Sequence, residues 1–159
     1  MTTKRVLPLF DGLVGSARPG PAPHLERARR GLGGGYSADV DLSMIGRFVR
    51  STPHEGVVLH ADGSTVDVMV SAGVVRRVAR ERVVTVDDVE LSTLRRRMAD
   101  DVRRFAAMPT GWRVRFMAEE GEAEGLLIEK CRYGALVALD DGRVVALGFS
   151  RMLATVAPG

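Results

Sequence analysis

The chain has 159 residues, with a 45% apolar share and a 27% charged share, ordinary values for one globular domain or two small ones. Its net charge of +3 comes from 23 basic and 20 acidic residues, a surplus far less concentrated than nucleic-acid binders usually show. No apolar run approaches the roughly 18–20 residues of a membrane-spanning helix. The N-terminus lacks a sustained apolar core of the secretory kind, and the single cysteine, Cys131, excludes an intrachain disulfide framework or a cysteine-cluster zinc site. The expectation is a cytoplasmic protein without a membrane span.

Residues 1–40 read as an extended N-terminal arm. Pro19, Pro21 and Pro23 are followed by Gly31, Gly33, Gly34 and Gly35, a composition that favours extended backbone over a packed core. Within the arm, Leu7, Leu9, Phe10, Leu13 and Val14 form an apolar segment expected to dock onto a partner protein. Residues 41–87 then show short β-like runs: 47–51, 56–60, 66–71, 74–78 and 82–86. Asp62-Gly63 signals a tight turn between two of them. Val66, Val68 and Val70 alternate onto one face of their strand. Residues 88–108, with Asp87 as the expected cap, form the one long helical pattern. Leu91, Leu94, Met98, Val102 and Phe105 recur on one face, arginines occupy the rest, and Pro109 with Gly111 ends it. The β pattern resumes over 111–157, with Asp140-Asp141-Gly142 as a further turn.

The two β segments resemble each other. Glu55-Gly56-Val57-Val58-Leu59 lies over Glu124-Gly125-Leu126-Leu127-Ile128 at a separation of 69 residues, and 74–86 lies over 144–156 at a separation of 70. The expected fold is therefore mainly β: two small tandem β-barrels joined by one α-helix, with the N-terminal arm ahead of them. The size and turn rhythm of each unit are similar to SH3-like, Tudor and KOW-type barrels, in which closure removes exposed strand edges.

No catalytic set stands out, and no enzyme activity is expected. His54, His60 and Asp62 have no spacing diagnostic of a metal site. Gly33-Gly34-Gly35 lacks the Lys-Ser/Thr of a phosphate loop. The run Asp41-Leu42-Ser43-Met44-Ile45-Gly46 is a D-x-S-x-x-G motif, and with the strands and helix that follow it resembles the PilZ family over residues 41–100. That resemblance implies a barrel that binds cyclic di-GMP, with Asp41, Ser43 and Gly46 at the guanine. The family's R-x-x-x-R element is absent at its proper spacing; Arg27, Arg29 and Arg30 are the candidates for phosphate contact. Arg76, Arg77, Arg80 and Arg82 form the candidate nucleic-acid surface, although a 5% aromatic share leaves few rings for stacking on bases. The leading expectation is a non-enzymatic binding protein, an adaptor or component of a larger assembly. It would need no cofactor and would bind a protein partner or further copies of itself. A PilZ-type receptor or adaptor and a nucleic-acid-binding tandem barrel are the alternatives.

Overall fold

The computed structural model describes residues 3–6, 13–17, 22–71 and 73–156. The N-terminal elements are β1 (Thr3–Val6), β2 (Leu13–Ala17) and α1 (Ala22–Gly31). A meander follows: β3 (Phe48–Ser51), β4 (His54–Ala61), β5 (Thr65–Ser71) and β6 (Val74–Ala79). A 3-10 turn at Arg80–Arg82 leads to β7 (Val84–Thr85). After a second 3-10 turn at Asp88–Glu90 comes α2 (Thr93–Ala106). The second meander is β8 (Arg113–Ala118), β9 (Gly121–Cys131), β10 (Gly134–Ala138) and β11 (Val144–Gly148). A 3-10 turn at Phe149–Arg151 precedes β12 (Met152–Thr155).

The protein is mainly β, with two antiparallel sheets and two α-helices. The chain divides into two compact units, each discontinuous in sequence. The first comprises Met1–Pro8 and Ser37–Ala106, the second Leu9–Tyr36 and Ala107–Gly159. The first sheet runs β1-β6-β5-β4-β3-β7 and the second β2-β11-β10-β9-β8-β12, the same order element for element.

The likeness extends to irregularities. The ladder between β4 and β5 steps from Val58↔Val68 to His60↔Asp67, leaving Leu59 as a bulge. The ladder between β9 and β10 steps from Leu127↔Val137 to Glu129↔Leu136, leaving Ile128. An extra residue at the same place in both ladders adds the same local twist to both strands. At Gly56 and Gly125 the neighbouring strand comes too close for a side chain. A Cβ on Gly56 would lie 2.1 Å from the Met69 carbonyl oxygen, and one on Gly125 2.7 Å from that of Ala138. The 3-10 turns Arg80–Arg82 and Phe149–Arg151 also stand 69 residues apart. The single inserted residue expected ahead of position 74 therefore enters later. The closing strands differ by 70: Thr85 pairs with Val49 as Thr155 pairs with Val114.

The valine alternation of β5 is realised. Val66 and Val68 are buried with Val49, Val58, Ala61 and Val78, and Val70 packs against them. In the second unit Leu32, Cys131, Leu136, Val144 and Ala146 form a cluster against which Leu25 and Ala28 of α1 pack.

Three sequence expectations need correction. The segment 1–40 contributes a strand to each sheet: β1 pairs with β6, Thr3 opposite Arg77 through Val6 opposite Val74, and β2 pairs with β11. Extended backbone is suited to this, because the outer edges of β6 and β11 would otherwise carry unpaired N–H and C=O groups. The long helix begins at Thr93. Asp87 instead caps the short 3-10 turn by accepting from the Val89 N–H, Leu91 is extended, and Ser92 Oγ accepts from Arg95 N–H at 3.3 Å. Its buried stripe is Ala99, Val102 and Phe105, whereas Leu94 is exposed. Finally, α2 belongs to the first unit, where it packs on β4, and does not stand apart as a connector.

Candidate functional site

The D-x-S-x-x-G run forms a closed turn leading into β3. Ser43 N–H and Oγ–H donate to Asp41 Oδ1 at 3.0 and 2.5 Å, an Asx-type turn. The other carboxylate oxygen accepts from Arg80, whose Nη1 also donates to the Asp62 carbonyl at 2.7 Å. The Ser43 hydroxyl first, and Arg80 second, hold the Asp41 carboxyl below its usual range. Gly46 adopts φ +88°, donates to the Val58 carbonyl at 2.9 Å and accepts from Arg103 Nε at 2.8 Å. A Cβ there would meet Arg103 Cγ at 2.5 Å. The motif residues thus have structural roles that account for their identity.

Beside this turn is a cleft of about 410 Å³ lined by Arg47, Phe48, Thr85, Val86, Asp87, Asp88 and Arg103. Arg103 reaches Asp88 through two bonds of 2.7 and 2.8 Å, which lower the Asp88 carboxyl. Arg47 Nε donates to the Ser43 carbonyl at 3.2 Å. The sequence offered Arg103 only as part of a solvated helix face. Besides a looser 3.6 Å ion pair with Asp100 one turn back, its hydrogen-bond partners Asp88 and Gly46 stand 15 and 57 residues away, where no local spacing signals them.

The candidate phosphate ligands lie in the other unit. Arg29, on α1, donates to Glu129 at 2.6 Å and to Glu26 at 3.2 Å, while Arg27 and Arg30 are exposed. The residues of the proposed nucleotide set therefore belong to two different units.

In the candidate nucleic-acid set, Arg77 makes a two-bond contact with buried Asp67 across the β5–β6 ladder, at 2.8 and 3.3 Å. Arg80 is engaged by Asp41, Arg82 is exposed, and Arg76 keeps its Nε buried without a hydrogen-bond partner. Of the arm residues, Leu7, Leu9 and Phe10 lie outside the described residues. Leu13 and Val14 fall in β2, where only the backbone is described.

His60 is buried, and its Nε2 accepts from the Ser37 N–H at 3.2 Å. His54 sits at the start of β4, and Asp62 Oδ1 accepts from the N–H groups of Ser64 and Thr65 at 2.8 Å each. Among the described residues no group of three His, Cys, Asp or Glu is placed to hold a metal ion. Burial, reinforced by Glu129, pushes the Cys131 thiol up to about 12, so it is not a thiolate at neutral pH. Desolvation lowers the Lys130 ammonium to about 8.

Leu42, Val84, Val89 and Leu94 are exposed on the first unit, and Trp112, Leu126 and Ile128 on the second. Among the described residues no helix is long and apolar enough to cross a membrane. Neither a family model nor a curated protein matches the chain.

Proposed function

We propose that the protein is a non-enzymatic binding protein, an adaptor or assembly component built from a duplicated SH3-like unit. The observation that carries this reading is the duplication itself. Two units with one strand order, one bulge position and one glycine crossing each carry their own set of exposed apolar side chains. Such side chains are the raw material of protein contacts. Return of β7 to β3, and of β12 to β8, supports closure of each sheet into a small barrel, as in SH3-like folds.

The test is affinity purification of the intact chain from its native cells, with the mass of the complex measured under native conditions. A stoichiometric protein partner or a defined oligomer supports the reading. A monomer that turns over a small molecule overturns it. The cyclic di-GMP alternative makes a separable claim. Calorimetry should then show saturable heat that Asp41→Ala and Arg30→Ala abolish; no heat from folded protein removes that alternative alone.

A further inference from the structure

The two sheets share one strand order, so a difference between counterparts marks what one unit adds. In the second sheet Ser16 of β2 lies opposite Val145 of β11, and Val145 is buried. In the first sheet the same place is taken by Lys4 of β1 opposite Arg76 of β6. The ladders fix this equivalence. Arg76 pairs with Val68 as Val145 pairs with Val137, and Val68 pairs with Val58 as Val137 pairs with Leu127. Two cationic residues thus stand where the other unit has a serine and a valine, at directly opposed positions where like charges destabilise a ladder. Arg76 shares its sheet face with Val66, Val68 and Val78, whose side chains offer no acceptor. Its Nε is buried without a hydrogen-bond partner, a donor that costs free energy as long as it stays unmet. The next arginines along the chain are answered: Arg77 by Asp67 at 2.8 Å and Arg80 by Asp41. Among the described residues no carboxylate stands within ion-pair distance of Arg76.

We propose that the Lys4–Arg76 pair is a binding site for a dianionic tetrahedral oxyanion, inorganic phosphate or a phosphate monoester. Two opposed cations call for an anion of matching charge, and a phosphate dianion supplies that charge together with several acceptor oxygens. A carboxylate, with one charge, leaves one of the two cations unmatched. A track for a nucleic-acid backbone does not follow. Of the four arginines on β6 and the turn after it, Arg77 and Arg80 are neutralised by their own carboxylates, and only Arg82 is fully exposed. The pair lies at the border of the first sheet, where β1 is the outermost strand, and Arg76 is only half-buried, so its guanidinium is within reach of a small solute.

The test uses the full-length protein at about pH 8, where a phosphate monoester has lost its second proton. Inorganic phosphate and glycerol 3-phosphate are titrated separately by calorimetry, in chloride at fixed ionic strength. Saturable binding of at least one is expected, and the tighter ligand names the source. Arg76→Val, the residue type the second unit carries there, should abolish binding with circular dichroism unchanged. Lys4→Gln should weaken it at least tenfold, about the loss of one charge-assisted bond. Arg82→Ala should bind as the parent does. Melting temperatures give a readout that needs no heat of binding. In chloride alone Arg76→Val should melt higher than the parent, because it removes an unmet buried donor and a like-charge pair. Phosphate should raise the melting temperature of the parent and leave that of Arg76→Val where it was. No saturable binding, binding that survives Arg76→Val, affinity unchanged by Lys4→Gln, or a phosphate effect that chloride reproduces at equal ionic strength overturns the proposal. So does an Arg76→Val that melts below the parent in chloride, since the cation would then be satisfied within the fold.

Discussion

Asp62 shows how one side chain can organise a hairpin. Its Oδ1 accepts from two consecutive backbone N–H groups, those of Ser64 and Thr65, and these bonds depress its carboxyl to about 2. The unfolded carboxyl titrates at about 3.9, so the stabilisation is complete above about pH 4 and is lost as the pH falls toward 2. Asp62→Ala should cost on the order of 1 kcal/mol at pH 7, as loss of a capping carboxylate does. In melts between pH 4 and 2, Asp62→Asn should show a shallower loss of stability than the parent; an identical slope would remove Asp62 from the acid response. Sequence correctly placed a turn at Asp62-Gly63, but for a different reason. Gly63 is not among the positive-φ glycines, and it is the aspartate that closes the turn. Cys131 gives a second residue-scale expectation. A thiol that is fully buried and titrates near 12 should resist Ellman's reagent at pH 8 in native protein and react once in denaturant. Rapid stoichiometric labelling of the native state would contradict its placement. The D-x-S-x-x-G run stood out in the sequence for its likeness to a PilZ motif, not as a turn. That Arg80, 39 residues on, engages Asp41 was not legible either, because only the folded sheet brings them together.

At the scale of elements, the glycine crossings are the sharpest shared feature. In both units a backbone carbonyl obstructs a side chain: the Met69 oxygen at 2.1 Å for Gly56 and the Ala138 oxygen at 2.7 Å for Gly125, where Val137 Cγ1 is nearer still at 2.5 Å. Neither carbonyl can swing aside as a side-chain tip could. Gly56→Ala and Gly125→Ala should therefore each cost at least about 1–3 kcal/mol, the usual penalty of overpacking. Gly34→Ala, with nothing within 4 Å of the added carbon but φ at +79°, separates backbone strain from collision. Urea titration measures all three, and a neutral Gly56→Ala would mean that the strands separate without cost. The central strands were readable because valine runs and turn residues coincide, and the repeat was readable because Glu-Gly followed by an apolar triplet occurs twice. The start of α2 was misread since Asp87 and Ser92 are both competent caps, and sequence alone does not say that the chain extends at Leu91 between them. Leu94 fitted the helical period yet is exposed, because burial follows what packs on α2 rather than periodicity alone.

For the whole molecule, the decisive feature is that the N-terminal segment belongs to both units. Thr3–Val6 extends the first sheet and Leu13–Ala17 the second, so residues read as an arm complete two ladders. Their sequence could not announce this. Both strands are short and fall in a stretch interrupted by proline and glycine, and their partners lie 68–74 residues away in the first unit and 127–134 in the second. Removing residues 1–8 should strip β1 and bare the edge of β6, accelerating amide exchange in β6 while β11 stays protected. Removing residues 1–20 should accelerate both, lower the melting temperature further and promote aggregation through two open edges. Hydrogen exchange read by mass spectrometry on β6 and β11 peptides distinguishes these outcomes in one experiment. Unchanged protection of both strands in the longer truncation would mean that the segment is a dispensable tether. Loss of protection only at β6 in the shorter truncation, and at both strands in the longer, would show that one segment contributes an edge strand to each of two duplicated sheets.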